Sequence, residues 1–367
     1  MNRPTRLKVS LQAVKDNVSA LRSLAPNSLF CAVVKADAYG QGAIKVGEAA
    51  VEAGADWLAV ALTQEAKELR EAGLTVPILV LSQPHPEEMK EFKTLIGVRP
   101  TVYTTEGIEA IASIAPKTSV HLKIETGMNR VGASEKNSVF LANKIVESNL
   151  TLEGVFTHFA SADEPESSFP EEQSMLFDKA LKELVNHGHQ PSIVHMANSA
   201  AVMSFPASHQ SMIRPGIAIY GAEPSIHLRG RCDQIGLKPT AQLETEVRHI
   251  HEIKVGETVS YGRQWTATDN TLLATLPVGY GDGIPRSWWE KGYVIIRGQK
   301  FPIRGVITMD QLMVEVDTEI TVGDKAILFG EQEGEVITAG EIAEATNTIS
   351  YEILANISKR VPRFYEN

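Results

Sequence analysis

The sequence predicts an α/β protein in two parts: an N-terminal (β/α)8 TIM-like barrel over residues 1–235 and a C-terminal, mainly antiparallel β domain over residues 236–367. Two observations carry this prediction. Between residues 29 and 221, eight short apolar runs alternate with amphipathic helical stretches, which is the count and size of such a barrel. After Leu237, strand-like runs are separated by glycine turns, which is typical of antiparallel sheets. The length of 367 residues agrees with two domains.

The apolar runs define the predicted barrel strands: Leu29–Lys35, Trp57–Leu62, Pro77–Ser82, Val98–Thr104, Val120–Glu125, Leu152–Phe159, Ile193–Asn198 and Met212–Tyr220. The helices predicted between them are Gly42–Gly54, Gln64–Ala72, Pro86–Leu95, Thr105–Ile114, Glu135–Glu147 and Glu171–Val185. An open doubly wound sheet is the alternative fold, but eight strands without a glycine-rich nucleotide fingerprint favour the barrel.

Glycine turns organise the predicted second domain. They occur in the segments Lys254–Glu257, Pro277–Gly283, Arg297–Lys300 and Val322–Lys325. One helix, Ala339–Thr346, is predicted to interrupt the strands. Because no long linker and no low-complexity segment separates the two domains, we expect them to pack tightly.

Composition excludes several classes of protein. With 43% hydrophobic residues the chain can bury a large core, so it is not intrinsically disordered. A net charge of -10 leaves no basic excess to neutralise phosphates, which argues against nucleic-acid binding. The two cysteines, Cys31 and Cys232, have no metal-ligand spacing and suit a reducing compartment. No apolar run approaches the ~20 residues of a membrane span, and the first residues show no apolar signal core, so we expect a cytoplasmic protein without a metal site.

A lysine stands at the end of the first apolar run, Phe30–Val34. Burial at the end of a strand disfavours the ammonium form of Lys35, and the free amine is the form that makes a Schiff base with an aldehyde. The alternative is that Lys35 reaches past the strand end into solvent.

Polar residues recur where the other barrel strands end, which is where active sites of such barrels lie. His158 follows the sixth strand, His195, Asn198 and Ser199 the seventh, and Arg214 opens the eighth. Taken singly, each has a structural alternative: Ser199 as a helix N-cap, His195 as a core histidine and Arg214 as an ion-pair partner. Taken together, they suggest pyridoxal 5′-phosphate, with its aldehyde at Lys35, its phosphate at Ser199 and Gly216, and its ring nitrogen at Arg214.

At this point the sequence resembles the bacterial alanine racemases. The segment Val34–Gly40 is similar to the cofactor-lysine signature of that family. Further similar segments follow in the family's order along nearly the whole chain: Lys123–Arg130, His195–Ala200, Arg214–Ile217, Val259–Gly262, Val278–Gly283, Thr308–Gln311 and Ser350–Glu352. Eight segments in order make the resemblance highly specific.

The resemblance implies interconversion of L- and D-alanine, as a supply of D-alanine for peptidoglycan, by two catalytic bases. Lys35 is the base on one face of Cα, and Tyr261 of the partner subunit in a homodimer is the base on the other. The implied cofactor-binding residues are Lys35, Tyr39, His158, His195, Asn198, Ser199, Arg214, Gly216, Ile217 and Tyr351. The implied substrate-binding residues are Arg130 and Met309, supported by Lys123, Tyr280, Arg286 and Asp310.

For Arg214 and Lys123 the resemblance implies a specific chemical role. Arg214 does not give up its proton, so opposite the cofactor's ring nitrogen it would leave that nitrogen unprotonated and suppress transamination. Lys123 stands at a position that is carbamylated in many family members, where its negative charge would orient Arg130. The alternative for Lys123 is an ordinary ammonium paired with a carboxylate such as Glu125.

The chain departs from the family at Gln41, where histidine is common, at Glu125, where aspartate is usual, and at Thr308, where cysteine is common. None of these positions is assigned to proton transfer. The functional alternatives are a racemase of serine or of several amino acids, a non-catalytic carrier of the cofactor, and a decarboxylase with a related barrel. The second β domain argues against the carrier, and the absence of a glycine-rich phosphate loop argues against the decarboxylase.

Overall fold

The computed structural model describes residues 3–367 and contains a closed barrel of eight parallel strands. The first and eighth strands close it through the pairs Leu29–Met212 and Phe30–Ile213. The barrel strands are Leu29–Val33, Trp57–Val60, Ile78–Val80, Val98–Val102, Ser119–Lys123, Thr151–Phe156, Ile193–His195 and Met212–Ile213. The predicted barrel class is confirmed.

Amphipathic helices surround the barrel. The helix Thr105–Ile114 shows why such segments form: Thr104 caps its first turn by accepting the backbone N–H of Gly107, and Ile108 and Ile111 are buried on one face. The helices of this part are Leu11–Leu24, Ala43–Glu52, Thr63–Glu71, Pro86–Met89, Thr105–Ile114, Ser138–Glu147, Phe169–Asn186, Ser199–Ser204 and Arg229–Ile235. Among residues 3–367, none of them is long and apolar enough to cross a membrane.

The strands end earlier than predicted, and the eighth differs most. It stops at Ile213, and residues Ile217–Tyr220 form a 3-10 turn instead of continuing the strand. Pro215 has no backbone N–H to contribute to a sheet. A prediction from the hydrophobic pattern alone therefore made this strand too long. In the same way, the predicted helix Pro86–Leu95 is a short helix to Met89 followed by a 3-10 turn.

The second domain is mainly antiparallel, as predicted. Its largest sheet orders the strands Gln299–Pro302, Tyr293–Ile296, Lys325–Gln332, Ala241–Glu246, Arg6–Ser10 and Arg363–Glu366, with Glu335–Ile337 paired at the side. A second sheet holds His249–Ile253, Thr271–Leu276 and Leu312–Val316, and a ribbon pairs Thr258–Val259 with Trp265–Thr266. The predicted helix Ala339–Thr346 is present, and a second helix, Ser350–Ala355, follows it.

The strand Arg6–Ser10 near the start of the chain belongs to the sheet of the second domain. It pairs antiparallel with Ala241–Glu246 and parallel with Arg363–Glu366. Leu7 and Val9 alternate with partly exposed residues and are fully buried, which is the pattern of a half-buried strand. This strand was not predicted, and the boundary between residues 235 and 236 remains a prediction.

The barrel interior is partly apolar and partly polar. An apolar layer contains Cys31, Val33, Trp57, Ala59, Leu79, Ile193 and Met212. Two fully buried histidines, His121 and His195, lie in the same interior. Helices and the second domain cover the outside with a larger continuous apolar core.

Candidate active site

A cavity of about 310 Å³ lies at the carboxyl ends of the barrel strands. It brings together eleven of the residues that the sequence predicts for the site: Lys35, Tyr39, Lys123, Arg130, His158, Asn198, Ser199, Arg214, Gly216, Ile217 and Tyr351. They come from five strand ends and from the helix Ser350–Ala355 of the second domain. The two domains therefore share this cavity.

Lys35 is followed by a left-handed turn over the residues Ala36–Tyr39, each with φ near +53°. Side chains have to hold such a turn, because L-residues are strained in this region. The carboxylate of Glu65 accepts the backbone N–H of Ala36 at 2.5 Å, and that of Asp37 accepts the N–H of Ala43 at 2.9 Å. The turn brings both Lys35 and Tyr39 into the cavity.

Two lysines in the cavity have depressed pKa values. Burial lowers the pKa of Lys35, the charge of Arg130 lowers it further, and Glu65 partly opposes this. Burial and the charges of Arg130 and Arg214 lower the pKa of Lys123 to about 8. Both amines thus reach their unprotonated, nucleophilic form more readily than an exposed lysine.

One wall of the cavity is built from hydroxyls and backbone N–H groups. The Ser199 hydroxyl accepts the backbone N–H of Gly216 at 2.7 Å and of Ala218 at 3.3 Å, which leaves its proton for an acceptor in the cavity. Asn198, not Ser199, is the N-cap of the helix Ser199–Ser204, since its Oδ1 accepts the N–H of Ala201. A Cβ on Gly216 would lie 2.7 Å from the hydroxyl oxygen of Tyr39, so a larger residue here would require the tyrosine to move.

Arg214 is buried at the base of the cavity. Its guanidinium donates to His195 Nδ1 at 2.7 Å and to the carbonyl oxygens of Thr157 and Met196 at 2.8 and 3.2 Å. Burial lowers the pKa of Arg214 to about 10, so the group stays charged at neutral pH. Within the described residues no carboxylate forms an ion pair with it, which disfavours the structural alternative for this arginine.

Glu125 is engaged by the backbone. Its carboxylate accepts the N–H groups of Gly127 at 2.6 Å and Arg130 at 3.3 Å. No ion pair joins Glu125 and Lys123 in the part of the chain that the structure describes. Instead, the Lys123 amine lies 5.5 Å from the centre of the Phe156 ring. The predicted alternative of an ammonium paired with this carboxylate is therefore not found.

Five predicted residues of the second domain lie away from this cavity: Tyr261, Tyr280, Arg286, Met309 and Asp310. Tyr261 is 72% exposed and stands on a sharp turn between two residues with positive φ, Ser260 and Gly262. Met309 is half exposed, and Asp310 pairs with Arg360 at 2.6 Å.

Tyr280 and Arg286 are likewise separate from Lys35. Tyr280 lines a different cavity, together with Gly281 and Ser287. Arg286 begins the 3-10 turn Arg286–Glu290, and among the described residues no hydrogen bond joins it to Tyr261. Within one chain, the second predicted base and the groups expected to support it are therefore not at the site of the first.

Sequence reasoning missed His121, Glu65 and Phe156. His121 precedes Lys123 by two residues on the same strand, so the two side chains lie on one face of the strand. The two-residue periodicity of the strand could therefore have identified His121 from the sequence. Glu65 gave no such signal, because it belongs to a neighbouring helix whose approach to Ala36 depends on the closed barrel.

The charge of the cavity fits a phosphorylated, carboxylate-bearing ligand. Four cationic side chains line it, those of Lys35, Lys123, Arg130 and Arg214, and no carboxylate side chain is among the described residues that line it. Cationic and N–H groups of this kind bind phosphate and carboxylate oxygens. The residues present thus fit pyridoxal 5′-phosphate together with an amino acid. Residues 3–367 contain no cluster of three or more His, Cys, Asp or Glu arranged for a metal ion.

Two protein-family models match the chain: the N-terminal domain of alanine racemases over residues 9–224 and the C-terminal domain of alanine racemases over residues 240–365. The chain is 41% identical to the alanine racemase of Symbiobacterium thermophilum, across 99% of this chain and 97% of that protein. It is 40% identical to that of Halothermothrix orenii, across 100% and 98%.

Solved structures agree in fold over the same length. The alanine racemase of D-cycloserine-producing Streptomyces lavendulae superposes with a TM-score of 0.93 at 34% identity, covering 100% of this chain and 98% of that one. The alanine racemase of Bacillus anthracis with bound L-Ala-P superposes with a TM-score of 0.91 at 35% identity, covering 100% and 96%.

Proposed function

Since the chain belongs to the alanine racemase family and is an isomerase of that family, we propose that it interconverts L- and D-alanine with pyridoxal 5′-phosphate held in the Lys35 cavity. One observation carries the proposal: Lys35, the Ser199–Gly216 wall and the buried Arg214 converge on one cationic cavity. Each of the three suits a different part of the cofactor, namely its aldehyde, its phosphate and its ring nitrogen.

Bound there, the cofactor supplies the electron sink that stabilises negative charge at Cα of the amino acid. The Lys35 amine would hold the aldehyde group until an amino acid takes its place. The hydroxyls of Ser199, Tyr39 and Tyr351 and the backbone N–H groups of Gly216 and Ile217 would hold the phosphate. Arg214 would interact with the ring nitrogen, and His158, His195 and Asn198 would support this set of contacts.

Two bases are useful for inversion at Cα, because a base confined to one face cannot both remove the proton and replace it with inversion. Lys35 Nζ exchanges the proton on one face, and the phenol of Tyr261 of the partner subunit exchanges it on the other. The exposure of Tyr261 on its turn supports this assignment, since the side chain is free to enter a neighbouring subunit. The cation of Arg286 assists ionisation of the phenol, and a homodimer follows from this sharing of sites.

The substrate carboxylate binds Arg130 and the backbone N–H of Met309. Lys123 carries a carbamate that orients Arg130 through opposite charge. The depressed pKa of Lys123, about 8, supports this, because only the free amine reacts with carbon dioxide. The Glu125 carboxylate already accepts backbone N–H groups. The carbamate would therefore be the anion that pairs with the Arg130 guanidinium. Tyr280 and Asp310 support the site from the second domain.

The product of the forward reaction, D-alanine, supplies peptidoglycan synthesis, and the reaction takes place in the cytoplasm. The two buried cysteines, Cys31 and Cys232, are unpaired. Free thiols are usual in a reducing compartment, which supports this location.

Chiral analysis tests the proposed reaction directly. The protein loaded with pyridoxal 5′-phosphate is incubated with pure L-alanine and, separately, with pure L-serine. Equal amounts of D- and L-alanine with little change in serine are expected. Racemisation of both amino acids would indicate the broader racemase, and alanine left wholly in the L form would favour the non-catalytic carrier.

A further inference from the structure

A row of buried polar side chains runs from the cavity into the barrel interior. His195 Nδ1 accepts from the Arg214 guanidinium at 2.7 Å, and His195 Nε2 lies 2.8 Å from His121 Nδ1. His121 Nε2 points on toward Glu153 Oε2, 3.7 Å away, and has no hydrogen-bond partner closer. Glu153 is held in turn by Arg99, at 2.6 and 3.2 Å. None of the sequence-level assignments includes His121, Glu153 or Arg99.

The chemistry of these groups fixes which atom donates and which accepts at each step along the row. A guanidinium can only donate, so His195 Nδ1 accepts, and the single proton of the neutral ring is on Nε2. His195 Nε2 therefore donates to His121 Nδ1, which places the proton of His121 on its own Nε2, facing the Glu153 carboxylate. Burial and the charge of Arg214 hold the pKa of His195 well below its usual value, which agrees with a neutral ring.

Glu153 provides the anionic end of the row. Burial raises its pKa, but the nearby His121 Nε2–H and the hydrogen bonds and charge of Arg99 lower it to about 2. The carboxylate is therefore ionised at neutral pH. A fixed donor, Arg214, at one end and a fixed acceptor, Glu153, at the other favour the same pair of tautomers.

The rings are held in place by close packing. Phe156 stacks on His195 with ring centres 4.6 Å apart and an interplanar angle of 10°. Trp57 packs against His121 at 5.5 Å. A Cβ on Gly154 would lie 2.4 Å from His121 Nδ1, and Gly154 is not among the residues with positive φ. The close approach of the histidine, and not the backbone conformation, is thus what requires glycine here.

We propose that His121 and Glu153 are positioning residues for Arg214. By fixing the tautomer of His195, they keep its Nδ1 as an acceptor and so hold the plane of the guanidinium that faces the cavity. With the opposite tautomer, an imidazole N–H would face a guanidinium N–H, and Arg214 would have to turn away. The tautomer order stands on this geometry alone, whereas its effect on a bound ring nitrogen rests on the proposed function.

Nitrogen-15 NMR of the full-length protein, labelled at its ten histidines, tests the tautomer order without cofactor. We expect both His121 and His195 to be protonated at Nε2 only, with the two signals assigned by their loss in His121→Asn and His195→Asn, respectively. Protonation of His195 at Nδ1, or a mixture of tautomers in the wild-type protein, would overturn the proposal. This measurement does not depend on the protein being a racemase.

Binding of pyridoxine 5′-phosphate tests the positioning role. This probe keeps the ring nitrogen and phosphate but has an alcohol in place of the aldehyde, so it reports the contacts without the Lys35 bond. His121→Leu removes the acceptor for His195, and we expect roughly tenfold weaker binding. His121→Asn retains an oxygen near the position of Nδ1, and it should bind within about threefold of the wild type.

Glu153→Gln keeps the shape of the side chain. It provides a second test of the proposal in case His121→Leu does not fold. It should weaken binding several-fold and produce mixed tautomers in His121. The matched control is Glu109→Gln, which removes an ion pair with Lys144 on the outside of the barrel and should bind the probe as the wild type does. Wild-type binding by His121→Leu and Glu153→Gln would overturn the proposal. A wild-type protein that keeps the tautomer order but neither binds the probe nor racemises alanine would instead refute the proposed function.

Discussion

The carboxylate of Glu65 accepts the backbone N–H of Ala36 at 2.5 Å, and this is the amide that directly follows Lys35. The second oxygen of the same carboxylate accepts the N–H groups of Ala61 and Leu62 at 2.8 and 3.0 Å. One side chain thus joins the ends of the first and second barrel strands. It also supports the first residue of the left-handed turn on which the geometry of Lys35 depends.

Replacing Glu65 should loosen that turn. In Glu65→Gln, one carboxylate oxygen is replaced by an amide N–H group that faces a backbone N–H donor. We therefore expect the free energy of unfolding to fall by about 1–3 kcal/mol. Urea denaturation measures this change. Glu68→Gln, three residues further along the exposed face of the same helix, is the control and should unfold like the wild type. Equal urea midpoints for the wild type and both variants would contradict the stabilising role of Glu65 in this turn.

Mixing two inactive variants tests the shared site. Lys35→Ala and Tyr261→Phe should each lose most of the racemase activity, because each removes one of the two proposed bases. If Tyr261 serves the neighbouring subunit, a mixed dimer holds one complete site, and an equal mixture after subunit exchange should recover about a quarter of wild-type activity. Recovery is measured as D-alanine formed from L-alanine. A mixture that stays inactive despite subunit exchange would show that both bases come from one chain.

The pKa of Lys123, lowered to about 8 by burial and then by Arg130 and Arg214, predicts a pH dependence of stability. The amine titrates near 10.4 in an unfolded chain, so between about pH 8 and 10 the unfolded state binds more protons than the folded state. The free energy of unfolding should therefore rise with pH across this interval.

Lys123→Met removes that contribution. In buffer free of carbon dioxide, we expect the rise between pH 8 and 10 to be smaller in the variant by on the order of 1–2 kcal/mol. Urea denaturation at both pH values measures it, and Lys144→Met, on the outside of the barrel, is the control. Identical slopes for Lys123→Met and the wild type would show that Lys123 keeps its ordinary pKa in the folded protein.

Gly216 is predicted to be irreplaceable for phosphate binding. A Cβ at this position would lie 2.7 Å from the Tyr39 hydroxyl oxygen, so Gly216→Ala should displace the tyrosine and weaken pyridoxal 5′-phosphate binding at least tenfold, on the order of the loss of one charge-assisted hydrogen bond. Equilibrium dialysis measures the affinity. Gly230→Ala is the matched control, since a Cβ there meets no atom within 4 Å. Unchanged affinity in Gly216→Ala would show that phosphate binding does not require glycine at this position.

Arg214→Glu should change the course of the reaction. A carboxylate facing the ring nitrogen would keep that nitrogen protonated and deepen the electron sink, so protonation at the wrong carbon should increase. We expect pyruvate formation from alanine to rise relative to racemisation, measured by coupled assay and chiral analysis on the same sample. A ratio equal to that of the wild type would show that Arg214 does not control the ring nitrogen.

Much of the fold follows from local pattern. Eight apolar runs alternating with amphipathic segments predict the barrel, because each strand must be buried on both faces and each helix on one. The same reasoning fails at Pro215, where a missing N–H ends the eighth strand although the hydrophobic pattern continues. It also fails at Arg6–Ser10, whose partners lie more than two hundred residues away along the chain.

For the site, the sequence by itself determined which residue types stand at the strand ends, and parallel strands in a barrel necessarily bring those ends together. Only the tertiary structure decided how these residues interact: that Glu65 holds the turn after Lys35, that Arg214 meets His195 and not a carboxylate, and that Tyr261 lies outside the cavity of its own chain. Contacts of this kind depend on the relative placement of elements far apart in sequence. The physical reason is that periodicity reports which face of an element is buried, whereas the partner buried against it is selected by the packing of the whole chain.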